Sequence, residues 1–436
     1  MKYYLIGIKG SGMSALATIL KQLGNEVVGS DVTNTYFTDK KLIDAGIEFF
    51  GFNPNNLDDS IDCVIIGNAF DDSNEEVVRA KELGLNTCRY YEFVNKLACE
   101  YNSIAICGTN GKTTTTGMTN SILPSEETIT LIGDGTGRAG SNPKYFLFEA
   151  CEYKNTFLNY HPHLCLITNI EMDHPDFFKD VEDVINSYQM FANQSKQVIV
   201  NGDDNNCLKI KHEDIITFGM KNRDVNVFMD NINLDASGAT FNIIYNNQDL
   251  GQFNLAIFGE HMLYNALASI TIGLVKGMDI NTVINNLGQF SGVSRRFNIT
   301  TLDEDNNVYL IDDYAHHPTS IKLTIQGIRQ KYPNYSVTVL FQAHTYSRVN
   351  TFAHEFCESL SLADYVYIDD IFGSIREQSA SVGKEVMIKE LQDMGGNVIL
   401  DVEDIKKVDK NHIIAVLGAG DIDTYMIPKI KEIMKG

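Results

Sequence analysis

The chain has no Cys-x-x-Cys pair, no run approaching the ~20 apolar residues that span a bilayer, and too few basic residues to balance its acids. Its eight cysteines (Cys63, Cys88, Cys99, Cys107, Cys151, Cys165, Cys207, Cys357) are scattered. That spacing excludes a disulfide framework or a cysteine zinc site and fits buried, reduced thiols. The missing apolar run excludes a transmembrane helix. The opening MKYYLIGIKGSGM enters a strand and a glycine turn instead of a secretion signal's apolar core, so a cytoplasmic protein without membrane insertion is expected. Lys and Arg number 35 against 57 Asp and Glu, a net charge of -22, which repels phosphate backbones; no nucleic-acid partner is expected. Fixed-period repeats and low-complexity tracts are absent too, which removes solenoids and disordered arrays.

What is present is 436 residues, 44% hydrophobic and 21% charged, enough for about three domains with cores of their own. Short β-rich apolar runs alternate with helical patterns, the pattern of an α/β fold with parallel sheets. A first block, 1–100, has a strand from Tyr3 to Ile8, glycines at 7, 10 and 12, and a helix with Met13, Leu16, Ala17 and Leu20 on one face. Its next strands end at Gly29-Ser30-Asp31 and Gly67-Asn68-Ala69. A second block, 101–293, opens with the strand Ser103 to Cys107, a glycine turn and a helix from Lys112 to about Leu123; further strands end at Glu149 and Asn169, and 224–258 reads as an antiparallel insertion. A third block, 294–436, has strands at Val308 to Ile311, Val337 to Phe341, near Val366 and at Ile413 to Leu417, and a helix from Asp421 to Lys435.

Chemistry concentrates at strand ends. Gly108-Thr109-Asn110-Gly111-Lys112-Thr113, continuing into Thr114, lies between a strand and a helix as a phosphate loop must. The glycines free backbone N–H groups for phosphate oxygens, Lys112 reaches the β/γ-phosphates, and Thr113 can ligate Mg²⁺. The loop is shorter than the usual spacing, which would place its first glycine at Ile106. Glu149, and the segment Asn169-Ile-Glu-Met-Asp-His174, offer hard ligands at strand exits. Gly10-Ser11-Gly12, with Asp31 downstream, forms a cradle that suits either a dinucleotide or a nucleotide-diphosphate sugar. Asp312-Asp313-Tyr314-Ala315-His316-His317-Pro318 and His344-Thr345-Tyr346-Ser347-Arg348 end two strands of the third block, where Arg348 suits a carboxylate. Arg295-Arg296 sits at a block junction, placed to clamp a transferring phosphoryl group.

GTNGKT, Glu149, NIEMDH, Gly259-Glu-His261-Met-Leu-Tyr-Asn265-Ala, RRF and DDYAHHP follow one another across almost the whole chain. In that order they resemble the Mur ligase family, and GIKGSGMSALA with DDYAHHP is similar to its alanine-adding branch. The resemblance implies an N-terminal Rossmann-like domain, a central P-loop ATPase-type domain and a C-terminal Rossmann-like domain that brings the amino acid. It implies an ATP-dependent ligase acting on UDP-N-acetylmuramate and L-alanine in peptidoglycan precursor synthesis, with Mg²⁺ or Mn²⁺, as a monomer or weak homodimer. By the same resemblance Gly10, Ser11, Gly12, Met13, Asp31 and Asn68 hold the UDP-sugar. Gly108 to Thr114, His261, Asn265, Arg296, Asp312 and Asp313 hold ATP. Thr113, Glu149 and His174 hold the metal, and Lys112, Glu149, His174 and Arg296 are catalytic. His316, His344 and Arg348 receive the amino acid. Sister ligases carry a carbamoylated lysine where this chain has Gln189, so no such modification is expected. The rival within the family is a recycling ligase that attaches an intact peptide. A nicotinamide oxidoreductase would leave GKTT without a role, and a non-catalytic binder would not need Lys112, Glu149 and His174.

Overall fold

The computed structural model describes residues 1–293, 295–373, 382–407 and 410–434, and its strands form three sheets that follow one another along the chain. The first is parallel throughout, in the spatial order Glu48–Gly51, Glu26–Asp31, Lys2–Ile6, Cys63–Ile66, Thr87–Arg89. Lys2–Ile6 and Cys63–Ile66 are apolar and almost wholly buried because helices cover both faces. The strand order reverses on either side of Lys2–Ile6, which opens a crevice beyond the strands' carboxyl ends.

The second sheet has ten strands, running from the edge Gln248–Leu255 through Gly238–Tyr245, Val227–Asp235, Ile215–Gly219, Gln197–Asn201, Leu164–Ile167, Asn102–Cys107, Tyr145–Glu149 and Thr128–Leu131 to Gly137–Ala139. The antiparallel segment expected at 224–258 is no separate unit. Val227–Asp235 pairs parallel with Ile215–Gly219 and two hairpins extend the same sheet. At the opposite edge, the hairpin Thr128–Ala139 docks on the helix Ser11–Gln22 of the first unit. Ala139 N–H donates to Gln22 Oε1 at 2.7 Å, and a Cβ on Gly137 would lie 1.9 Å from the Ala15 carbonyl. A single apolar cluster runs from Leu5 and Leu16 to Phe146 and Ile167, so the first two units share a packed seam.

The third sheet runs Asn298–Asp303, Val308–Asp313, His412–Leu417, Ser336–Phe341, Tyr365–Ile368. Only its edge strand Asn298–Asp303 is antiparallel. The strand expected at Val308–Ile311 continues to Asp313, which puts Asp312 and Asp313 on its last two positions. The closing helix is Ile422–Ile433; Lys435, its expected end, lies outside the described residues. Among the described residues no helix is long and apolar enough to cross a membrane.

Candidate functional site

Two glycine turns open onto the carboxyl edges of the first two sheets. In the first, Gly7 at φ +83° turns the strand into the helix Ser11–Gln22, whose first N–H groups face the crevice. Asp31 fixes this turn, accepting the Lys9 N–H at 2.7 Å on one oxygen and the Val32 N–H at 2.7 Å on the other. Met13 is buried in the shared core, while Asn68 is exposed at the end of its strand.

In the second turn, Gly108 (φ +132°) and Gly111 (φ +85°) take conformations that favour glycine. A Cβ on Gly111 would lie 2.4 Å from Asn265 Oδ1. Asn169 secures the loop: its carbonyl accepts the Thr109 N–H and its Oδ1 the Asn110 N–H, both at 2.9 Å. Lys112 donates to the carbonyls of Gly108 and Thr109 and to both oxygens of Glu152, each at 3.0 Å. Burial would lower its pKa, but Glu152, helped by Cys151 and Asp173, outweighs burial and holds the ammonium above its usual range. Thr113 donates to Glu149 Oε2 at 3.0 Å, and the Gly133 N–H meets the other oxygen at 2.7 Å. Burial still raises the Glu149 carboxyl, against these donors and the charges of Arg296 and Lys112.

The sequence grouped His174 with Thr113 and Glu149. The structure pairs Thr113 with Glu149 and brings ligand atoms of His174, Asp173 and Glu152 within 4.8 Å of one another. Burial lowers the His174 pKa, against the attraction of Asp173 and Glu152. Sequence reasoning overlooked Glu152; its only signal is an acid three residues beyond Glu149, past the same strand exit.

The third unit meets the second along 169–174. Arg348 donates from Nε to Asp173 Oδ1 at 2.9 Å and from Nη2 to Oδ2 at 3.1 Å. This pairing keeps the Asp173 carboxyl well below the usual carboxylate range in spite of burial. Arg348, expected to read an amino-acid carboxylate, thus reads a carboxylate of its own chain in this structure. Its Nη1 lies 3.1 Å from His344 Nδ1, and the His344 and His316 rings meet edge-on at 6.1 Å. Burial, with the charge of Arg348, pushes His316 well below the ordinary histidine range. His317 Nε2 contacts the Met172 carbonyl at 3.2 Å and Thr319 donates to Glu171 at 2.9 Å.

The two junction arginines share the Tyr314 ring, with Arg295 5.1 Å from its centroid, but differ in their other partners. Arg295 is tied to the Gly418 and Gly420 carbonyls at 2.7 and 3.1 Å and to Asp423 at 3.2 Å. Arg296 lies 4.8 Å from the Tyr314 ring centroid and acts electrostatically on both Glu149 and Asp313. Asp313 accepts the Phe297 and Ala315 N–H groups, each at 2.8 Å, and so secures the junction. Burial pushes the Asp312 carboxyl up to about 6, with Arg295 opposing and Asp423 and Asp313 reinforcing. Behind Gly111, Asn265 accepts from Thr115 at 3.2 Å, and burial lowers His261 to about 4.

A phosphate loop with acidic strand ends, faced by cations from a third α/β unit, defines a nucleotide-dependent transferase or ligase type of centre. Three family models match consecutively: "Mur ligase family, catalytic domain" over residues 2–102, "Mur ligase middle domain" over 106–273 and "Mur ligase, glutamate ligase domain" over 295–422. The chain belongs to the Mur ligase family. It is 41% identical over 428 residues, 97% of its own length and 96% of theirs, to UDP-N-acetylmuramate–L-alanine ligases of Lacticaseibacillus paracasei and Lacticaseibacillus casei. Among solved structures, the UDP-N-acetylmuramate-alanine ligase of Thermotoga maritima matches with a TM-score of 0.81 at 26% identity, covering 100% of this chain and 99% of that one. A murein peptide ligase of Psychrobacter arcticus matches with a TM-score of 0.68 at 21% identity, over 100% of this chain and 99% of its own, a likeness of fold.

Proposed function

We propose that this chain is an ATP-dependent ligase that joins L-alanine to the lactyl carboxylate of UDP-N-acetylmuramate in peptidoglycan precursor synthesis, in the cytoplasm, as a monomer or weak homodimer. The observation that carries this reading is the 41% identity to alanine ligases over nearly the whole of both chains. The units 1–100, 101–293 and 294–436 then bind UDP-sugar, ATP and amino acid in turn. The first helix N-terminus and Gly10, Ser11, Gly12 and Asn68 take the diphosphate and nucleoside, with Asp31 and Met13 shaping the turn from behind.

The lactyl carboxylate attacks the γ-phosphorus of ATP, the bond to the β-phosphate oxygen breaks, and ADP leaves an acyl phosphate. The alanine amine attacks that acyl carbon; phosphate departs from the tetrahedral intermediate and the amine's proton is lost, leaving the amide. Such a sequence needs alignment and charge neutralisation more than a protein nucleophile. Lys112 and the backbone N–H groups of 108–114 that Asn169 does not engage hold the phosphates, and Arg296 approaches them from the Glu149 side. His261, Asn265, Asp312 and Asp313 shape the adenosine end, and His316, His344 and Arg348 orient the amino acid. The hard oxygen and imidazole donors of Thr113, Glu149 and His174, with Glu152 and Asp173 beside them, fit Mg²⁺ or Mn²⁺. Bound there, such an ion supplies Lewis-acid neutralisation of phosphate charge.

The test is phosphate release from ATP with UDP-N-acetylmuramate, in separate reactions with L-alanine, glycine, L-serine and a muropeptide-type tripeptide, with product masses checked. Turnover that needs the UDP-sugar and L-alanine and yields the alanyl product is expected. Preference for the tripeptide would make the chain a recycling ligase instead.

A further inference from the structure

We propose that Glu152 is a positioning residue that competes with the nucleotide's phosphates for Lys112, so that the triphosphate binds tightly only when a divalent cation takes over the Glu152 carboxylate. This rests on reading 108–114 as the triphosphate site. An ammonium has three N–H donors, and those of Lys112 are met by two loop carbonyls and by Glu152. A phosphate oxygen therefore gains Lys112 by displacing an acceptor, and Glu152 is the one that is negatively charged.

Displacement leaves a problem in the protein. The Glu152 side chain is 3% exposed, so the released carboxylate cannot turn to water, and a buried charge stripped of its partner is strongly unfavourable. Its neighbours do not replace the lysine. The cation nearest Asp173, Arg348, is already engaged by both oxygens of that aspartate. His174 Nε2 lies 3.8 Å from Glu152, beyond hydrogen-bond distance, and does not replace the ammonium. A divalent cation does, and the atoms of Glu152, Asp173 and His174 are close enough together to share one. Nucleotide and metal are then coupled through one side chain, and the coupling is reciprocal. The consequence is selectivity: the loop rejects nucleotide that arrives without metal, because Glu152 already occupies its lysine.

The experiment is calorimetric titration of the full chain with a non-hydrolysable ATP analogue, in EDTA and in excess Mg²⁺, for the wild type, Glu152→Gln and Glu152→Asp. UDP-N-acetylmuramate titration of each protein checks its fold at a distant site. Glu152→Gln should bind the metal-free analogue about tenfold more tightly than wild type, the scale of one charge-assisted hydrogen bond, and the gain from Mg²⁺ should shrink by a similar factor. Glu152→Asp keeps the charge and should keep the wild-type gain. Unchanged metal-free affinity in Glu152→Gln, or weaker binding both with and without Mg²⁺, overturns the proposal, as does an aspartate variant that behaves like the glutamine one. Failure of the wild type to bind the analogue even with Mg²⁺ would instead overturn the phosphate-loop reading.

Discussion

Gly7–Gly12 and Gly108–Lys112 both carry a buried parallel strand into the N-terminus of a helix, and each turn contains a lysine. In the first, Lys9 turns back into its own domain, donating to the Asn34 carbonyl at 2.7 Å, pairing with Asp39 at 3.3 Å and lying 5.2 Å from the Phe49 ring centroid. Its side chain is 7% exposed; it is a strut. In the second, Lys112 rests on Glu152, which is grouped with Asp173 and His174. A turn that opens onto a helix N-terminus favours an anion, which is the role proposed for both. On the proposed reading, whether the turn only binds a diphosphate or helps transfer a phosphoryl group depends on whether its lysine can change partners.

Short of removing Lys112 itself, Gly111→Ala should have the largest effect on that contrast, because its Cβ would strike Asn265 at a residue with φ +85°. Displacing the phosphate cradle by an ångström or so costs about 100-fold in kcat/KM for ATP, measured by phosphate release, with UDP-sugar binding unchanged. Arg348→Lys comes next: it keeps the charge but loses the two-pronged geometry on Asp173. The KM for L-alanine should rise about tenfold and that for ATP by less than about twofold; the reverse pattern would move Arg348 to the nucleotide side.

Asp312→Asn should be milder and stabilising. A carboxyl held up at about 6 makes the fold lose stability as pH rises from about 4 to 6. Removing the charge should raise the melting temperature at pH 7.5 by about 2 °C, for an effect on the order of 1 kcal/mol, and the difference should vanish near pH 4. Gly10→Ala should do least. Gly10 has φ -57° and a Cβ there meets nothing closer than 3.5 Å, so denaturation midpoints should report a change within about 0.5 kcal/mol.

The central strands were legible in the sequence because Cys63–Ile66, Leu164–Ile167 and Ser336–Phe341 are buried on both faces and read as apolar runs. The hairpin Thr128–Ala139 and the edge strand Asn298–Asp303 were not legible. Edges are short and partly solvated, so Gly137-Arg138-Ala139 and the polar Asn298-Ile-Thr-Thr carry little signal. In the site, the glycine turn, Thr113 and Glu149 share local strand-end grammar that a sequence displays. Glu152 contacts Lys112 across 40 residues and Asp173 contacts Arg348 across 175, and such pairings exist only once the sheets pack. Arg295 and Arg296 are indistinguishable as letters. Both guanidinium groups lie over the Tyr314 ring, at 5.1 and 4.8 Å, and the left-handed backbone at Arg295, φ +56°, goes with its further tie to the Gly418 and Gly420 carbonyls.

The measurement that tests this contrast most directly is titration of Lys112→Ala with UDP-N-acetylmuramate and, separately, with an ATP analogue and Mg²⁺, alongside a ligation assay. UDP-sugar affinity should stay close to wild type, with nucleotide binding severely weakened and ligation abolished. Equal loss of both ligands would mean that the two glycine turns do not serve separate substrates.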